Sequence, residues 1–378
     1  MTVNVPKTMK AAIWQGESTA LTVEEIPVPR PLTDEVLVKV AACGVCHTDL
    51  HVLKEEVAFP APAVIGHEIS GTVVEVGPNV SGFAAGDRVV GAFLMPCGNC
   101  AQCLKSRDDM CLTFFEENRL KGNLFDGTSR LNRADGSRLS MYSMGGMAEY
   151  AVVPVNALAH LDPSLPLEDS CILGCAIFTA YGAIAAAGLQ AGETMAVVAT
   201  GGVGSSIVQL GAHLGASTVV ALDVSDEKLE VVRKLGATVT VNTRTEDAIA
   251  AVRRVLPGGV DVVFEALGRA ETFELAQALL ADGGRMVAIG IADGNATAAI
   301  PITQIVRRGQ SIRGSYGART RQDLPKVVAL AAAGGIDIKD SITRRYSLDQ
   351  ADEAYQKLAE GAINGRAIVT MSSAGDSV

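Results

Sequence analysis

The chain has 378 residues, 48% hydrophobic and 20% charged, with 39 glycines and 14 prolines. This is an ordinary globular composition in a chain too long for one comfortable core, so two domains are expected. A net charge of −10 argues against nucleic acid or an anionic membrane as a partner. Eight cysteines follow a start, MTVNVPKTMKAAIWQGES, that lacks the apolar run of a secretory signal; they point to metal or thiol chemistry in the cytoplasm rather than to a disulfide framework.

In roughly the first 170 residues, EVLVKVAACGV, SGTVVEV, DRVVGAF and AEYAVVP have the branched apolar residues and turn boundaries of strands, which predicts a mostly β domain. CGVCHTDLH, residues 43 to 51, crowds Cys43, Cys46, His47, Thr48, Asp49 and His51 together, and VIGHEISG adds His67 and Glu68. CGNCAQCLKSRDDMC then places Cys97, Cys100, Cys103 and Cys111 with gaps of two, two and seven residues. Four thiolates at that spacing fit a closed tetrahedral zinc site, in a lobe spanning 95–113. A reducible disulfide pair and an iron–sulfur cluster are the competing readings. From Lys105 to Gly146 runs a polar, glycine-punctuated stretch long for a loop, as functional loops often are. CILGCAIFTAYG contributes Cys171 and Cys175.

Two stretches without charge, Cys171 to Leu189 and Met195 to Leu222, are long enough for a membrane span, but glycines and polar residues break both. They are expected to be buried. Near residue 170 the pattern changes to strand and helix in alternation: TMAVVAT, GGVGSSIVQLGAHLGA, STVVALDV, DEKLEVVRKLGA, TVTVN, EDAIAAVRRVL, VDVVFEAL, AETFELAQALLA, GRMVAIGI, ITQIVRRG and SIRGSY. Such alternation predicts a doubly wound parallel sheet. After about Gly317, two amphipathic helical runs and the strand-like RAIVTM are expected to return to the first domain, ahead of a small polar tail, SSAGDSV.

VVATGGVGSSIVQL lies between strand and helix, as a dinucleotide fingerprint requires, with Gly201, Gly202, Val203 and Gly204 at the turn and Ala199 where the first glycine usually stands. Asp223 follows 19 residues after Gly204, where a carboxylate accepts from ribose hydroxyls and repels a 2′-phosphate, favouring NAD over NADP. Asp223 as a helix cap is the plainer alternative. Lys228 is placed to lie against the adenosine. A catalytic zinc needs about three protein ligands and an open position; spacing alone does not choose them among Cys43, Cys46, His47, His51, His67, Glu68, Cys171 and Cys175.

Taken in order, GVCHTDLH, GHE, the four-cysteine lobe, GCAIFTAYGA, GGVG with Asp223, and GRAIV closely resemble the zinc-dependent alcohol dehydrogenases of the medium-chain dehydrogenase/reductase superfamily, over almost the whole chain. The resemblance implies an α/β architecture: a GroES-like β catalytic domain over 1–180 and 318–378, and a Rossmann domain over 181–317. It implies two zincs per chain and NAD. Cys46, His67 and Cys175 would bind the catalytic zinc, Glu68 would approach it, and Asp49 would orient the ligand histidine. Cys43 and Cys171 fall outside the pattern, as small buried residues. An alcohol bound to zinc as alkoxide would pass hydride to NAD, and its proton would leave by Thr48 and His51. His47 and Arg366 would hold the cofactor pyrophosphate, with Thr179 also on the cofactor. Val57, Phe93 and Phe115 would line an apolar substrate pocket. The long loop, residues 114–144, resembles the branch whose members are dimers. That branch includes glutathione-dependent formaldehyde dehydrogenases, although Phe115 stands where their substrate's carboxylate would call for an arginine. A non-catalytic NAD-binding redox sensor is the further alternative.

Overall fold

The computed structural model describes residues 5–292 and 294–371; the polar tail from Ser372 lies outside them. The chain divides into two compact units, one formed by the chain up to Cys175 and again from Arg319, the other by Ala176–Ala318.

The first unit is built on the strand Glu35–Val45, whose residues are almost all buried. It pairs antiparallel with Ile69–Val76, Tyr150–Pro154 and Arg366–Thr370. The expected return of the chain's end is therefore a pairing, with Ala367 opposite Val45 and Val369 opposite Cys43. Burial on both faces explains why EVLVKVAACGV reads as a near-continuous apolar run rather than an alternating one. A second sheet begins with a hairpin the sequence did not single out, Thr8–Trp14 against Leu21–Pro27. Where Glu35–Val45 ends, Cys46 starts the short helix His47–Leu53.

The second unit is an all-parallel sheet among the described residues, ordered Val239–Asn242, Thr218–Asp223, Thr194–Val198, Val260–Glu265, Leu280–Ala288, Ser311–Gly314. Its interior packs Val198, Val220, Leu222, Val263 and Met286 together. The helices start on side-chain caps where the sequence provides them. Ser225 Oγ accepts from Lys228 N–H at 3.4 Å and Asp247 Oδ1 from Ala250 N–H at 2.8 Å, each satisfying an amide that the helix leaves free. The apolar segment Asp169–Ala187 is long enough to span a membrane, yet 78% of its apolar window is buried inside the fold.

Candidate active site

Sheet and turn geometry bring three distant stretches of the first unit to one buried point. Cys46 arrives at the end of its strand, His67 and Glu68 follow the turn at Gly66 (φ +96°), and Cys175 ends a short helical segment. Ligand atoms of Cys46, His67, Glu68 and Cys175 all lie within 4.8 Å of one another. Gly44 makes room for this: a Cβ there would come within 2.4 Å of Glu68 Oε2. Cys43 and Cys171 are buried but outside the cluster.

His67 tests whether a metal fits. Its Nδ1–H donates to Asp49 Oδ1 at 2.8 Å, which fixes the tautomer and leaves the Nε2 lone pair facing the cluster. Nε2 is buried and makes no hydrogen bond among the described residues; Glu68 Oε1, at 3.9 Å, is too far. An orphaned imidazole nitrogen beside two cysteine sulfurs is a donor set that suits zinc. Asp49 is fully buried and also accepts from Tyr355 O–H at 2.8 Å and Gly66 N–H at 3.3 Å.

The electrostatics agree with that donor set. The hydrogen bond from Cys175 holds the Cys46 thiol well below its ordinary range, and the same bond, with burial, pushes Cys175 up. Burial lowers His67, but Asp49 and Cys46 outweigh it and hold the imidazole up to about 10. Burial raises Glu68 to about 7 against the pull of Arg366, which ion-pairs with it. Without a metal, the Cys46 thiolate and the His67 imidazolium stabilise each other as an ion pair; a cation between them would displace the Nε2 proton and free that lone pair.

The four-cysteine lobe closes as its spacing suggests. Its sulfurs also lie within 4.8 Å of one another, and Cys100 Sγ is 3.9 Å from Cys111 Sγ. A Zn–S bond of about 2.3 Å gives a tetrahedral edge of about 3.8 Å. All eight cysteines are free, so no disulfide competes. Cys97 N–H and Phe114 N–H point at Cys111 Sγ, and Cys100 N–H at Cys97 Sγ, at 3.2–3.4 Å. At Cys111 burial outweighs the two amide donors, which lower the thiol, and holds it up to about 11. Arg321 pins the lobe from outside, with its guanidinium on Asp108 at 2.6 Å and on the Cys103 carbonyl at 2.9 Å.

In the second unit, the turn after Thr194–Val198 leads into the helix Gly202–His213, whose N-terminus has no side-chain cap. Gly201 is exposed, and a Cβ on it would meet nothing within 4 Å, whereas a Cβ on Gly204 would come within 2.0 Å of the Ala199 carbonyl oxygen. One glycine thus keeps the turn open above free amides, and the other lets helix and strand touch, the two roles a pyrophosphate cradle needs. Ala199 itself has φ +72°, the left-handed conformation that glycine adopts more readily. Asp223 is buried and accepts from Thr200 N–H, Thr200 Oγ1, Val224 N–H and Ser225 N–H at 2.8–3.1 Å. It therefore braces the turn rather than capping the next helix, which Ser225 caps. Lys228 is half-buried and Thr179 buried in the helix Ala176–Ala187.

Thr48 Oγ1 is 3.5 Å from Cys46 Sγ, and His51, three residues further along the same helix, is partly exposed and paired with Glu56. His47 is exposed at the helix start. Arg366, expected on cofactor phosphates, is buried against Glu68, with Nε lacking a partner among the described residues. Phe93 is buried 6.0 Å ring to ring from His67, Phe115 packs on Phe114, and Val57 is 42% exposed. Sequence reasoning missed Tyr355, Tyr142 and Arg119. Tyr142 lies 6.1 Å from His67, and the Arg119 guanidinium 4.1 Å from Tyr142, measured to ring centroids.

Comparison with known proteins matches residues 33–163 to the alcohol dehydrogenase GroES-like domain and residues 202–333 to the zinc-binding dehydrogenase domain. An alcohol dehydrogenase of Geobacillus stearothermophilus is 33% identical over 368 residues, covering 96% of this chain and 99% of that protein. An S-(hydroxymethyl)glutathione dehydrogenase of Escherichia coli is 33% identical over 93% of this chain and 97% of its own length. Among solved structures, an alcohol dehydrogenase zinc-binding domain protein from Burkholderia ambifaria superposes with a TM-score of 0.92 at 31% identity, over 97% of this chain and 99% of that one.

Proposed function

The chain belongs to the zinc-binding alcohol dehydrogenases of the medium-chain dehydrogenase/reductase superfamily, and from that premise we propose that it transfers hydride reversibly between an alcohol and NAD, giving an aldehyde or ketone. The observation that carries this reading is the orphaned Nε2 of His67 inside a buried cluster with Cys46 and Cys175. Those three residues hold a zinc ion, and Cys97, Cys100, Cys103 and Cys111 hold a second, structural one. The catalytic zinc supplies a Lewis acid that lowers the pKa of a bound hydroxyl, and the nicotinamide supplies the hydride acceptor.

The protein's own residues do the rest. Asp49 and Tyr355 keep the proton on Nδ1 of His67 and aim its other nitrogen at the cluster. Thr48, beside Cys46, takes the alcohol proton, and His51, on the helix face shared by positions three apart, delivers it to water with Glu56 at its side. The open turn at Gly201 and the amides of Gly202–His213 receive the pyrophosphate, and Asp223 faces the ribose, which disfavours NADP. His47, exposed at its helix start, stands at the family's phosphate-binding position, whereas Arg366 is already paired with Glu68 and, among the described residues, keeps only Nε for a further partner. The charge and free thiols suit a cytoplasmic enzyme, and the length of the loop over residues 114–144 supports the dimer-forming branch.

Zinc analysis together with a fluorescence screen for NADH over primary, secondary and aromatic alcohols tests the reading. Two zincs per chain and turnover that Cys46→Ser abolishes without unfolding are expected. Turnover of no alcohol, or a Cys46→Ser variant as active as the parent, overturns it. Light scattering that gives a tetramer rejects the dimer.

A further inference from the structure

Arg119 lies at the end of a π-helical turn, Phe114–Arg119, inside the long loop. Its Nε, Nη1 and Nη2 are all buried and find no acceptor among the described residues. Other half-buried arginines of this unit are paired: Arg130 with Glu35 and Asp126, Arg321 with Asp108. The carboxylates nearest in sequence are turned elsewhere, since Glu116 and Glu117 both bond Lys121.

Three rings wall the guanidinium: Tyr142 at 4.1 Å, Phe114 at 5.0 Å and Phe93 at 5.9 Å from its carbon to their centroids. Aromatic faces attract a cation, but they do not satisfy a fork of N–H donors, and each buried donor left unmade is costly. Guanidinium groups keep their charge across the physiological range. Two of the three rings, Phe93 and Tyr142, also touch His67, so the fork lies one ring away from the metal ligand. Its backbone is held in advance. Asn118 is fully buried, donates to the carbonyls of Asn123, Met141 and Ser143 at 2.9–3.1 Å, and accepts from Ser143 N–H at 2.9 Å. A π-turn is costly to keep and recurs at functional sites.

Resting on the alcohol dehydrogenase reading, we propose that Arg119 receives a carboxylate carried by the substrate, so that the preferred substrates are hydroxy acids or their aldehydes with a short chain or one ring between the reacting carbon and the acid. Planar bidentate pairing suits a guanidinium and a carboxylate, and the aromatic walls exclude water from the pair. Arg119 sits four residues beyond the position where the sequence suggested looking for such a cation.

The test uses the zinc-loaded enzyme. The ratio of kcat/KM for 4-(hydroxymethyl)benzoate over 4-(hydroxymethyl)benzamide is measured in the parent, in Arg119→Met, which keeps the apolar stem, and in Arg119→Lys, which keeps the charge but not the fork. Calorimetry of benzoate against benzamide gives a readout independent of turnover. We expect at least a tenfold advantage for the acid in both, carried by KM, near unity in Arg119→Met and intermediate in Arg119→Lys. A parent that prefers the amide overturns the proposal even if the variants fail to fold. Benzoate binding unaffected by Arg119→Met places the carboxylate elsewhere and also overturns it. Arg119-dependent benzoate binding without turnover of any alcohol leaves the carboxylate site standing and sinks the dehydrogenase reading. Faster turnover of S-(hydroxymethyl)glutathione, equally dependent on Arg119, assigns the carboxylate to a thiol conjugate.

Discussion

Replacing Tyr355 with Phe removes one oxygen and leaves the ring in place. The lost bond is the 2.8 Å donation to Asp49 Oδ2, between a tyrosine 2% exposed and an aspartate fully buried. Burial pushes the phenol up and the charge of Asp49 adds to this, so Tyr355 is held as a donor. Without it, Asp49 keeps His67 and the Gly66 amide but loses a charge-assisted bond, a stability cost of about 1.5–3 kcal/mol. Asp49 also sets the direction of His67 Nε2, and loss of such outer support weakens metal binding about 10- to 100-fold. That corresponds to about 1.4–2.8 kcal/mol, so metal affinity and folding stability should fall by comparable amounts. Chelator titration should resolve two zinc-release steps, and Tyr355→Phe should shift only the one that Cys46→Ser eliminates. The reasoning fails if that step moves less than about twofold while the denaturation midpoint stays put.

Cys100→Ser should release one zinc per chain and lower stability while the other zinc stays, as metal analysis before and after mild chelation will show. Gly204→Ala drives a Cβ into the Ala199 carbonyl and should cost about 1–3 kcal/mol together with NAD binding. Gly201→Ala has open space, so it should weaken NAD binding and leave the denaturation curve unchanged; equal effects of the two would refute the cradle. Asp223→Asn presents an amide to four donors and should cost about 1–3 kcal/mol, while narrowing the preference for NAD over NADP in dissociation constants. His51→Gln should slow turnover by about 100-fold, within the range for a lost general acid–base, with partial rescue by added imidazole; no rescue argues against a proton path there.

What the sequence made legible was whatever is rare or periodic. Cysteine and histidine are scarce, so clusters of them stand out, and alternation of strand and helix is visible along any parallel sheet. The dinucleotide turn could be located even with Ala199 in the first position, because the strand before it and Asp223 after it fix the frame. Tyr355 left no such trace. It lies 306 residues from Asp49, in the helix Ala351–Ala359, where it reads as one more buried position of an amphipathic stripe. Arg366 fits the family pattern as a phosphate ligand, yet its ion-pair partner, Glu68, is 298 residues away. The loop from Lys105 to Gly146 hid the most. A π-turn has no hydrophobic period to detect, and only the fold brings Arg119 among Phe93, Phe114 and Tyr142.

The strand Arg366–Thr370 lies directly against the strand that carries Cys46, and this sets a timetable for synthesis. The ribosome makes Cys46, His67 and Cys175 early, then the whole parallel-sheet unit, and only afterwards Tyr355, Arg366 and the strand that seals the first sheet. Domains fold as units, N-terminal first, but here the first domain to begin is the last to finish. Until residue 370 emerges, Asp49 and Glu68 lack their late partners, and the nascent metal pocket is complete in its ligands but not in the groups that steady them. Zinc captured before release should therefore exchange faster than zinc captured after it, which metal exchange on stalled and released chains would measure.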